Sequence, residues 1–233
     1  MIDIHSHVLP LVDDGAQSWE AAITMCQMSH ADGVTHLVAT PHANFVYDYD
    51  RQAHLERLAE LQQHVPELKL ILGCDMHLDH FEDVLQEPQR FTIGETHYLL
   101  VEVSDFMSPR VLMDAIYRLH CEGIRTIVTH PERVPTLSRK FDALRQLADM
   151  GSVLQVTANS ITGFWGRPAQ SSAERMIAEG LARIVASDAH DVQRRTPVLS
   201  QARAAVEQLI GDKAAKLLFN DYPAMVIADQ VIE

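Results

Sequence analysis

Short runs of β-branched and apolar residues recur about every 30 residues along this chain, which is the length of one strand-and-helix repeat. The predicted strands are Ile2–Ile4, Thr35–Thr40, Leu68–Leu72, Tyr98–Val103, Thr126–Thr129, Val153–Val156 and Ile184–Ala186. Helical patterns fill the gaps, without linkers or low-complexity segments, so we expect a single domain over residues 1–233. The alternation favours a parallel α/β barrel. An open doubly wound sheet is the alternative, but it would normally carry a Gly-rich phosphate turn, which this sequence lacks.

Several helix ends are marked by residues that cap or start helices. Ser18 is placed to cap a helix Trp19–Asp32, and Pro109 suits the first turn of a later helix. After a short helix Asp212–Phe219, the sequence predicts a tail past Pro223.

The composition excludes several classes of protein. The 233 residues carry a net charge of −13, and no Lys/Arg-rich run is present, which argues against a nucleic-acid partner. No apolar run of membrane-spanning length and no basic-then-apolar leader occurs, so we expect neither membrane insertion nor a signal peptide. The 3 cysteines lie far apart without a C-x-x-C motif, as is typical of reduced thiols in a cytoplasmic protein.

The first predicted strand runs directly into a pair of histidines. Residues i and i+2 of a strand point to the same side, so His5 and His7 aim two imidazoles at one point. Convergent neutral imidazoles are good ligands for divalent transition metals. With 13 histidines in the chain, however, roughly 0.7 such pairs are expected by chance, so the pair needs context.

That context comes from the ends of the other strands, where ligand-type side chains recur. They are Asp14 in the loop after the first strand, His42, Asp75, Glu102, His130, and the pair Asp188 and His190. In parallel barrels the functional site forms where the strands end. Scattered structural histidines would not fall into this register, so the sequence predicts a polynuclear metal site.

Two other hydrolytic mechanisms are excluded by sequence. A cysteine-based phosphatase needs an Arg six residues after its nucleophilic Cys, but those positions hold Asp32, His80 and Ile127. The G-x-S-x-G motif of serine hydrolases is also absent. Clustered cations, by contrast, lower the pKa of bound water and supply hydroxide at neutral pH, so the residues favour metal-dependent hydrolysis.

The motifs IDIHSH, DDG, ATPH, THPER and SDAH occur in this order, and together they resemble the PHP (polymerase and histidinol phosphatase) superfamily. Longer stretches, including MIDIHSHVLPLVDDGA, VATPHANFVYD and QVTANSITGFWG, resemble the bacterial PHP-type tyrosine phosphatases. Those enzymes accompany the tyrosine kinases of capsule and exopolysaccharide synthesis. The resemblance extends from residue 1 through Asn220–Pro223 and so covers nearly the whole chain.

The resemblance implies a distorted (β/α)7 barrel of the PHP type that holds three divalent metal ions. The implied ligands are His5, His7, Asp75 and Asp188 for the first ion, Asp75, Glu102 and His130 for the second, and Asp14, His42 and His190 for the third. Family members usually have Glu at the place of Asp75. The shorter Asp weakens the expected bridge between two ions, and His77 is a nearby substitute.

The resemblance also implies phosphate-holding roles for Arg133 and Arg195, and guanidinium suits bidentate phosphate contacts. With His42, these arginines are the predicted catalytic residues. The expected substrate is phosphotyrosine in a partner protein, namely an autophosphorylated tyrosine kinase of polysaccharide synthesis. A small-molecule phosphatase of the histidinol-phosphate type and a catalytically silent phosphotyrosine-binding regulator are the alternatives. Manganese is the expected metal, with Fe, Zn and Mg open. The oligomeric state is also open.

Overall fold

The computed structural model describes residues 1–78 and 81–232, in which short strands alternate with helices. The strands are β1 (Ile2–Ser6), β2 (His36–Ala39), β3 (His42–Ala43), β4 (Lys69–Leu72), β5 (Asp75–His77), β6 (Tyr98–Glu102), β7 (Arg125–Thr129), β8 (Val153–Thr157) and β9 (Ala182–Ala186). The helices are α1 (Trp19–Ala31), α2 (Arg51–His64), α3 (Phe81–Gln86), α4 (Pro109–Cys121), α5 (Pro135–Ser138), α6 (Phe141–Asp149), α7 (Ala158–Ile161), α8 (Arg167–Ala178), α9 (Ser200–Ile210), α10 (Asp212–Lys216) and α11 (Tyr222–Ile227). A 3-10 turn Pro88–Arg90 and a π-helical turn Leu217–Asp221 complete the chain.

The strands form two parallel sheets, in the orders β1-β2-β4 and β3-β5-β6-β7-β8-β9. This confirms the prediction of a parallel α/β fold. All seven predicted strands are present, but two of them are followed by a break and a further short strand, β3 after β2 and β5 after β4. Pro41 lies in the first break and cannot donate to a ladder, although its carbonyl accepts from Asp75 N at 3.1 Å.

The second break contains Gly73, which is packed closely on one side. A Cβ there would lie 3.1 Å from both Thr40 Cγ2 and Val38 Cγ1. The chain resumes as β5, which pairs with β3 so that His42 lies beside Asp75. The two breaks therefore place two predicted ligands side by side.

The loop after β9 is held against β1 by backbone hydrogen bonds. Asp188 N donates to His5 O at 2.9 Å, and His7 N donates to Ala189 O at 2.8 Å. The pairing of β1 with β2 is irregular between Asp3 and Ser6. Asp3 pairs with Leu37 and Ser6 with Ala39, so β1 has one residue more than β2 in this interval. The first and last strands thus meet at the histidine pair.

The apolar core has two parts. The larger packs the helices against the strands, and the smaller contains Ile2 and Ile4 with Val38, Ile127 and Ile184, one or two residues from each of four strands. Ile2 and Ile4 thereby anchor the first strand in a core.

The helix ends follow the predicted signals, with one exception near the carboxyl end. Ser18 caps α1 by accepting from Ala21 N at 3.1 Å, and Pro109 lies in the first turn of α4. The prediction of a tail past Pro223 is wrong, because this residue lies in the first turn of α11. Proline is tolerated there, since the N–H groups of the first turn have no partner within the helix.

Beyond α11, Asp229 ties the end of the chain to β7 and to the residue before β6. Its carboxylate accepts from His97 N at 2.8 Å, from His97 Nδ1 at 2.7 Å and from Arg125 Nη1 at 3.0 Å.

Cys26 and Cys74 are buried and Cys121 is exposed, and all three are free thiols. Among the described residues, none of the helices combines the length and the apolar character required to cross a bilayer.

Candidate metal centre

The predicted ligand residues all lie at or just beyond the carboxyl ends of the strands. They are His5 in β1, His7 and Asp14 after it, His42 in β3, Asp75 in β5, Glu102 at the end of β6, His130 after β7, and Asp188 and His190 after β9. Parallel strands point the same way, so their carboxyl ends meet at one edge of the fold. The described structure brings all nine residues into one continuous cluster.

The first part of the cluster surrounds the two histidines of the opening motif. His5 Nε2 lies 3.2 Å from His7 Nε2. Asp75 Oδ2 and Asp188 Oδ1 each lie 3.5 Å from His5 Nε2, and Asp188 Oδ1 lies 3.6 Å from His7 Nε2. Two imidazole nitrogens and two carboxylate oxygens therefore converge on one buried point.

The second part of the cluster shares Asp75 with the first. Asp75 Oδ2 lies 3.4 Å from His42 Nδ1, and Glu102 Oε2 lies 3.5 Å from the same nitrogen. Glu102 Oε1 lies 3.6 Å from His130 Nε2. Asp75, the shortened residue at the predicted bridge, thus reaches both groups.

The third part of the cluster is the most open. Asp14 Oδ1 lies 3.5 Å from His42 Nε2 and 3.6 Å from His190 Nε2. The ring of His7 lies between these histidines, with centroids 4.3 Å from His42 and 3.9 Å from His190. His7 and His42 each belong to two groups of residues spaced to share a cation. Among the described residues, His77, the predicted substitute for Asp75, belongs to none of these groups.

Hydrogen bonds on the far side of the rings fix how the first two histidines face the cluster. His5 Nδ1 lies 2.8 Å from Gln155 Oε1, and His7 Nδ1 lies 2.7 Å from Asp13 Oδ2. Because both partners are acceptors, each Nδ1 carries the proton and each Nε2 faces the cluster. Asp13 also shapes the turn, since its Oδ1 accepts from Gly15 N at 2.9 Å.

Gly15 is packed against the backbone of His7, a predicted ligand. A Cβ at this position would lie 2.1 Å from His7 O and 2.5 Å from His7 Cβ. Real Cβ atoms do not come so close to other heavy atoms, so no larger residue fits without displacing His7.

Burial and neighbouring charges set the protonation of the cluster. Burial, together with the neighbouring His190 and His42, holds the pKa of His7 well below its usual range. Burial and Arg133 lower the pKa of His130 to about 3. Burial opposes ionisation of Asp188, but His5 and the two nearby arginines outweigh it and hold the pKa of that carboxyl well below its usual range. Neutral imidazoles beside an ionised carboxylate are the states in which these groups bind a metal.

Two buried atoms show that the residues fit bound cations. Asp75 Oδ2 and His42 Nδ1 lack a hydrogen-bond partner among the described residues, although they lie 3.4 Å apart. A buried carboxylate oxygen without a partner is strongly destabilising. A divalent cation between these atoms would satisfy both, and His–carboxylate sets suit Mn, Fe and Zn.

Both predicted phosphate-holding arginines lie at the rim of the cluster. Arg133 Nη1 donates to Asp188 Oδ2 at 2.6 Å, and Arg195 Nη2 lies 2.7 Å from the same oxygen. Asp188 therefore presents one oxygen to the histidines and the other to the arginines. The Trp165 ring lies 4.4 Å from the guanidinium carbon of Arg133 and 5.4 Å from that of Arg195.

Two residues of the cluster adopt left-handed backbone conformations. The φ angles of His130 and Asp188 are 36° and 52°, which non-glycine residues rarely adopt. Such conformations persist where the surrounding structure holds them, often at functional sites. Here Glu132 holds the loop after His130, because its Oε1 accepts from Thr157 N at 3.0 Å and from Ser160 Oγ at 2.6 Å.

The sequence did not identify Gln155 or Glu132 as supporting residues. Gln155 is the one polar side chain within the run Val153–Val156, and a polar residue inside a buried strand needs a partner. That signal was present in the sequence. Glu132 was visible within the motif THPER, but nothing in the sequence indicated that its partners would come from β8 and α7.

Comparison with known proteins finds relatives that match nearly the whole chain. CapC of Staphylococcus aureus is 30% identical to this chain over 227 residues, which cover 95% of this chain and 86% of CapC. The tyrosine-protein phosphatase YwqE of Bacillus subtilis is 29% identical, over 94% of this chain and 88% of YwqE. The tyrosine-protein phosphatase CpsB of Streptococcus pneumoniae is also 29% identical, over 100% of both chains.

A solved structure from work on YwqE and CpsB, described as metal-dependent tyrosine phosphatases, superposes with a TM-score of 0.92 at 28% identity and covers 100% of this chain and 96% of that one. The phosphotriesterase homology protein of Escherichia coli shares the fold, with a TM-score of 0.65 at 10% identity over 97% of this chain and 98% of its own. The model of the family described as "Capsular polysaccharide synthesis, CpsB/CapC" matches residues 1–228. The chain therefore belongs to the CpsB/CapC family.

Proposed function

We propose that this chain is a metal-dependent tyrosine-protein phosphatase that removes phosphate from phosphotyrosine in a partner protein. The relatives named as tyrosine-protein phosphatases cover nearly the whole chain, which supports the activity. The observation that carries the proposal is the convergence, beside Arg133 and Arg195, of nine histidine and carboxylate side chains, seven of which fall into groups spaced to share a cation.

The proposed ligand sets follow the three parts of the cluster. His5, His7, Asp75 and Asp188 hold the first ion, Asp75, Glu102 and His130 the second, and Asp14, His42 and His190 the third, with manganese as the proposed metal. Bound divalent ions would lower the pKa of a coordinated water and offset negative charge on the phosphoryl oxygens.

The chain's own residues position the substrate. Arg133 and Arg195, now held by Asp188, present N–H groups at the rim of the cluster, where a phosphoryl group can accept them. The ring of His42 lies close to a carboxylate of the second group and to a carboxylate of the third group, so one orientation of this ring serves both groups. A tyrosyl leaving group has a pKa of about 10, below that of an alkyl alcohol, and needs less help from a general acid.

We further propose that the strands form one distorted seven-stranded barrel of the PHP type, in a single domain over residues 1–233. Counting β2 with β3 and β4 with β5 gives seven strand positions, and the bonds between β1 and the loop after β9 support the closure. The proposed partner is the autophosphorylated tyrosine kinase of capsular or exopolysaccharide synthesis, in accord with the family description. The three free thiols support a cytoplasmic location.

The test is the initial rate of hydrolysis of a phosphotyrosine peptide and of histidinol phosphate, after chelation and after re-addition of Mn²⁺. We expect hydrolysis of the peptide that is lost with the chelator and restored by the metal. Hydrolysis of histidinol phosphate alone would reassign the substrate. If the metal binds and neither compound is hydrolysed, the chain is a silent regulator.

A double variant tests the ligands directly. His5→Ala/His7→Ala is expected to abolish turnover of the peptide, because it removes two nitrogens that face the same point. The matched control is His30→Ala/His64→Ala, which removes two histidines of α1 and α2 away from the strand ends. Unchanged activity in the first variant would contradict the metal mechanism.

A further inference from the structure

A cavity of about 870 Å³ lies between the first turn of α4 and the junction of α5 with α6. Arg139 lines this cavity and also a second one of about 210 Å³, whose other lining residues include Arg133 and Trp165. The two cavities are therefore neighbours that share Arg139, and the smaller one is bordered by Arg133, a candidate phosphate-binding arginine.

The lining of the larger cavity is strongly basic in a chain whose net charge is −13. Two of the basic residues are neutralised locally, because Arg145 Nη2 and Arg175 Nε each lie 2.7 Å from Glu179. The other three are Arg110, Arg139 and Lys140, which are exposed. No cation of this trio forms an ion pair within the described ranges 1–78 and 81–232.

Helix geometry adds to the positive potential of this cavity. Both α4 and α6 begin at its wall, and the first turn of a helix carries a partial positive charge on its free N–H groups. Ser108 caps α4, so the uncapped start is that of α6. Lys140 occupies the N-cap position of α6, where no side chain satisfies these groups. Two acids also line the cavity: Asp142 is bound by Arg145 at 2.8 Å, and Asp114 is exposed in α4.

The local cations, and not the net negative charge of the chain, decide what the cavity attracts. At physiological salt, charges farther than about 8 Å are largely screened, so a ligand in the cavity responds to the local cations rather than to the net charge. The chemistry that satisfies three unpaired, exposed cations is a set of carboxylates. Arg139 also lines the smaller cavity with Arg133, so a peptide whose phosphotyrosine lay at Arg133 would carry its flanking residues toward this trio.

Resting on the proposed function, we propose that the basic groove formed by Arg110, Arg139 and Lys140 binds acidic residues that flank the phosphotyrosine of the substrate protein. The groove selects among phosphotyrosine sequences and leaves the chemistry at the metal centre unchanged. It contributes to kcat/KM for peptides and not for small aryl phosphates.

The test compares two phosphotyrosine peptides that differ only in flanking residues, Asp and Glu in one, Asn and Gln in the other. The variant is Arg110→Glu/Lys140→Glu, which spares Arg139 because that residue also borders Arg133. The matched control is Lys69→Glu/Lys213→Glu, which changes the net charge equally at two exposed positions outside the groove. Para-nitrophenyl phosphate has no flanking residues, so its rate of hydrolysis measures the activity of the metal centre alone.

We expect the unmodified protein to prefer the acidic peptide by about three- to tenfold in kcat/KM, the sum of a few exposed ion pairs. The groove variant should lose this preference and keep its rate on para-nitrophenyl phosphate, whereas the control variant should keep both. The preference should also shrink at high salt.

Equal kcat/KM for both peptides in the unmodified protein, or an unchanged preference in the groove variant, would overturn the groove while leaving the phosphatase in place. If no substrate is hydrolysed, the proposed function fails, and the proposal of the groove is then tested by measuring peptide binding. Fluorescence anisotropy of the labelled acidic peptide then supports it if the groove variant binds at least threefold more weakly than the control, and overturns it if the two bind equally.

Discussion

Replacement of Trp165 by alanine is expected to loosen both arginines at the rim without unfolding the protein. The indole ring lies 4.4 Å and 5.4 Å from the guanidinium carbons of Arg133 and Arg195, and it is 37% exposed. Trp165 is thus a positioning residue for two groups that also share Asp188 Oδ2.

The size of the effect follows from these contacts. A cation–π contact at a partly exposed site contributes about 0.5–1 kcal/mol, so loss of two contacts removes about 1–2 kcal/mol of positioning free energy. If that free energy is used in the transition state, kcat/KM for a phosphotyrosine peptide falls about 5- to 30-fold. Trp165→Phe keeps an aromatic face and should lose less than about threefold.

Two readouts separate positioning from a general structural effect. Inorganic phosphate should inhibit Trp165→Ala more weakly, while the melting temperature stays within a few degrees of the unmodified protein. Trp19 is the other of the 2 tryptophans, so Trp19→Phe is the matched control for fluorescence. Phosphate should change the emission of Trp19→Phe but not that of Trp165→Phe. Full activity in Trp165→Ala, or equal losses in the alanine and phenylalanine variants, would refute the reasoning.

Three further outcomes are expected. Gly15→Ala should lower both the free energy of unfolding, by about 1–3 kcal/mol in urea, and the affinity for Mn²⁺, because its Cβ would overlap His7; a variant that binds metal normally would contradict this. A thiol reagent at pH 8 should label only the exposed Cys121 in the native protein and three thiols in urea, since burial raises the pKa of the Cys26 thiol to about 12. Asp229→Asn should lower stability at pH 7 by up to about 1 kcal/mol, because the carboxylate accepts hydrogen bonds from a histidine and an arginine. Burial would raise the pKa of Asp229, but the hydrogen bonds outweigh burial and lower it. The stabilisation by the carboxylate is therefore present above about pH 4 and is lost as the pH falls further. If the melting temperatures of Asp229→Asn and the unmodified protein still differed at pH 2, this explanation would be contradicted.

The ligand cluster was predictable because strand direction is simple to infer from sequence. Once apolar runs are assigned to parallel strands, the residues after each run must lie at one edge, and His130, Asp188 and His190 follow directly. The breaks between β2 and β3 and between β4 and β5 were not predictable, because strands of two or three residues are too short to leave a pattern.

The supporting contacts were hidden for a different reason. The bonds from Gln155 to His5 and from Glu132 to Thr157 join residues far apart in sequence, 150 positions in the first case. Periodicity carries no information on such pairs. The sharing of His42 between two groups also depends on the rotation of one ring, which only coordinates reveal.

The bonds between β1 and the loop after β9 have a consequence for folding during synthesis. His5 is synthesised about 180 residues before its partners Ser187 and Asp188, a delay of about 10 to 40 seconds at typical elongation rates. During that interval one edge of the first strand has no ladder partner and is exposed to pairing with other chains. Closing so long a loop comes late in folding, so the residues made first are among the last to reach their final contacts.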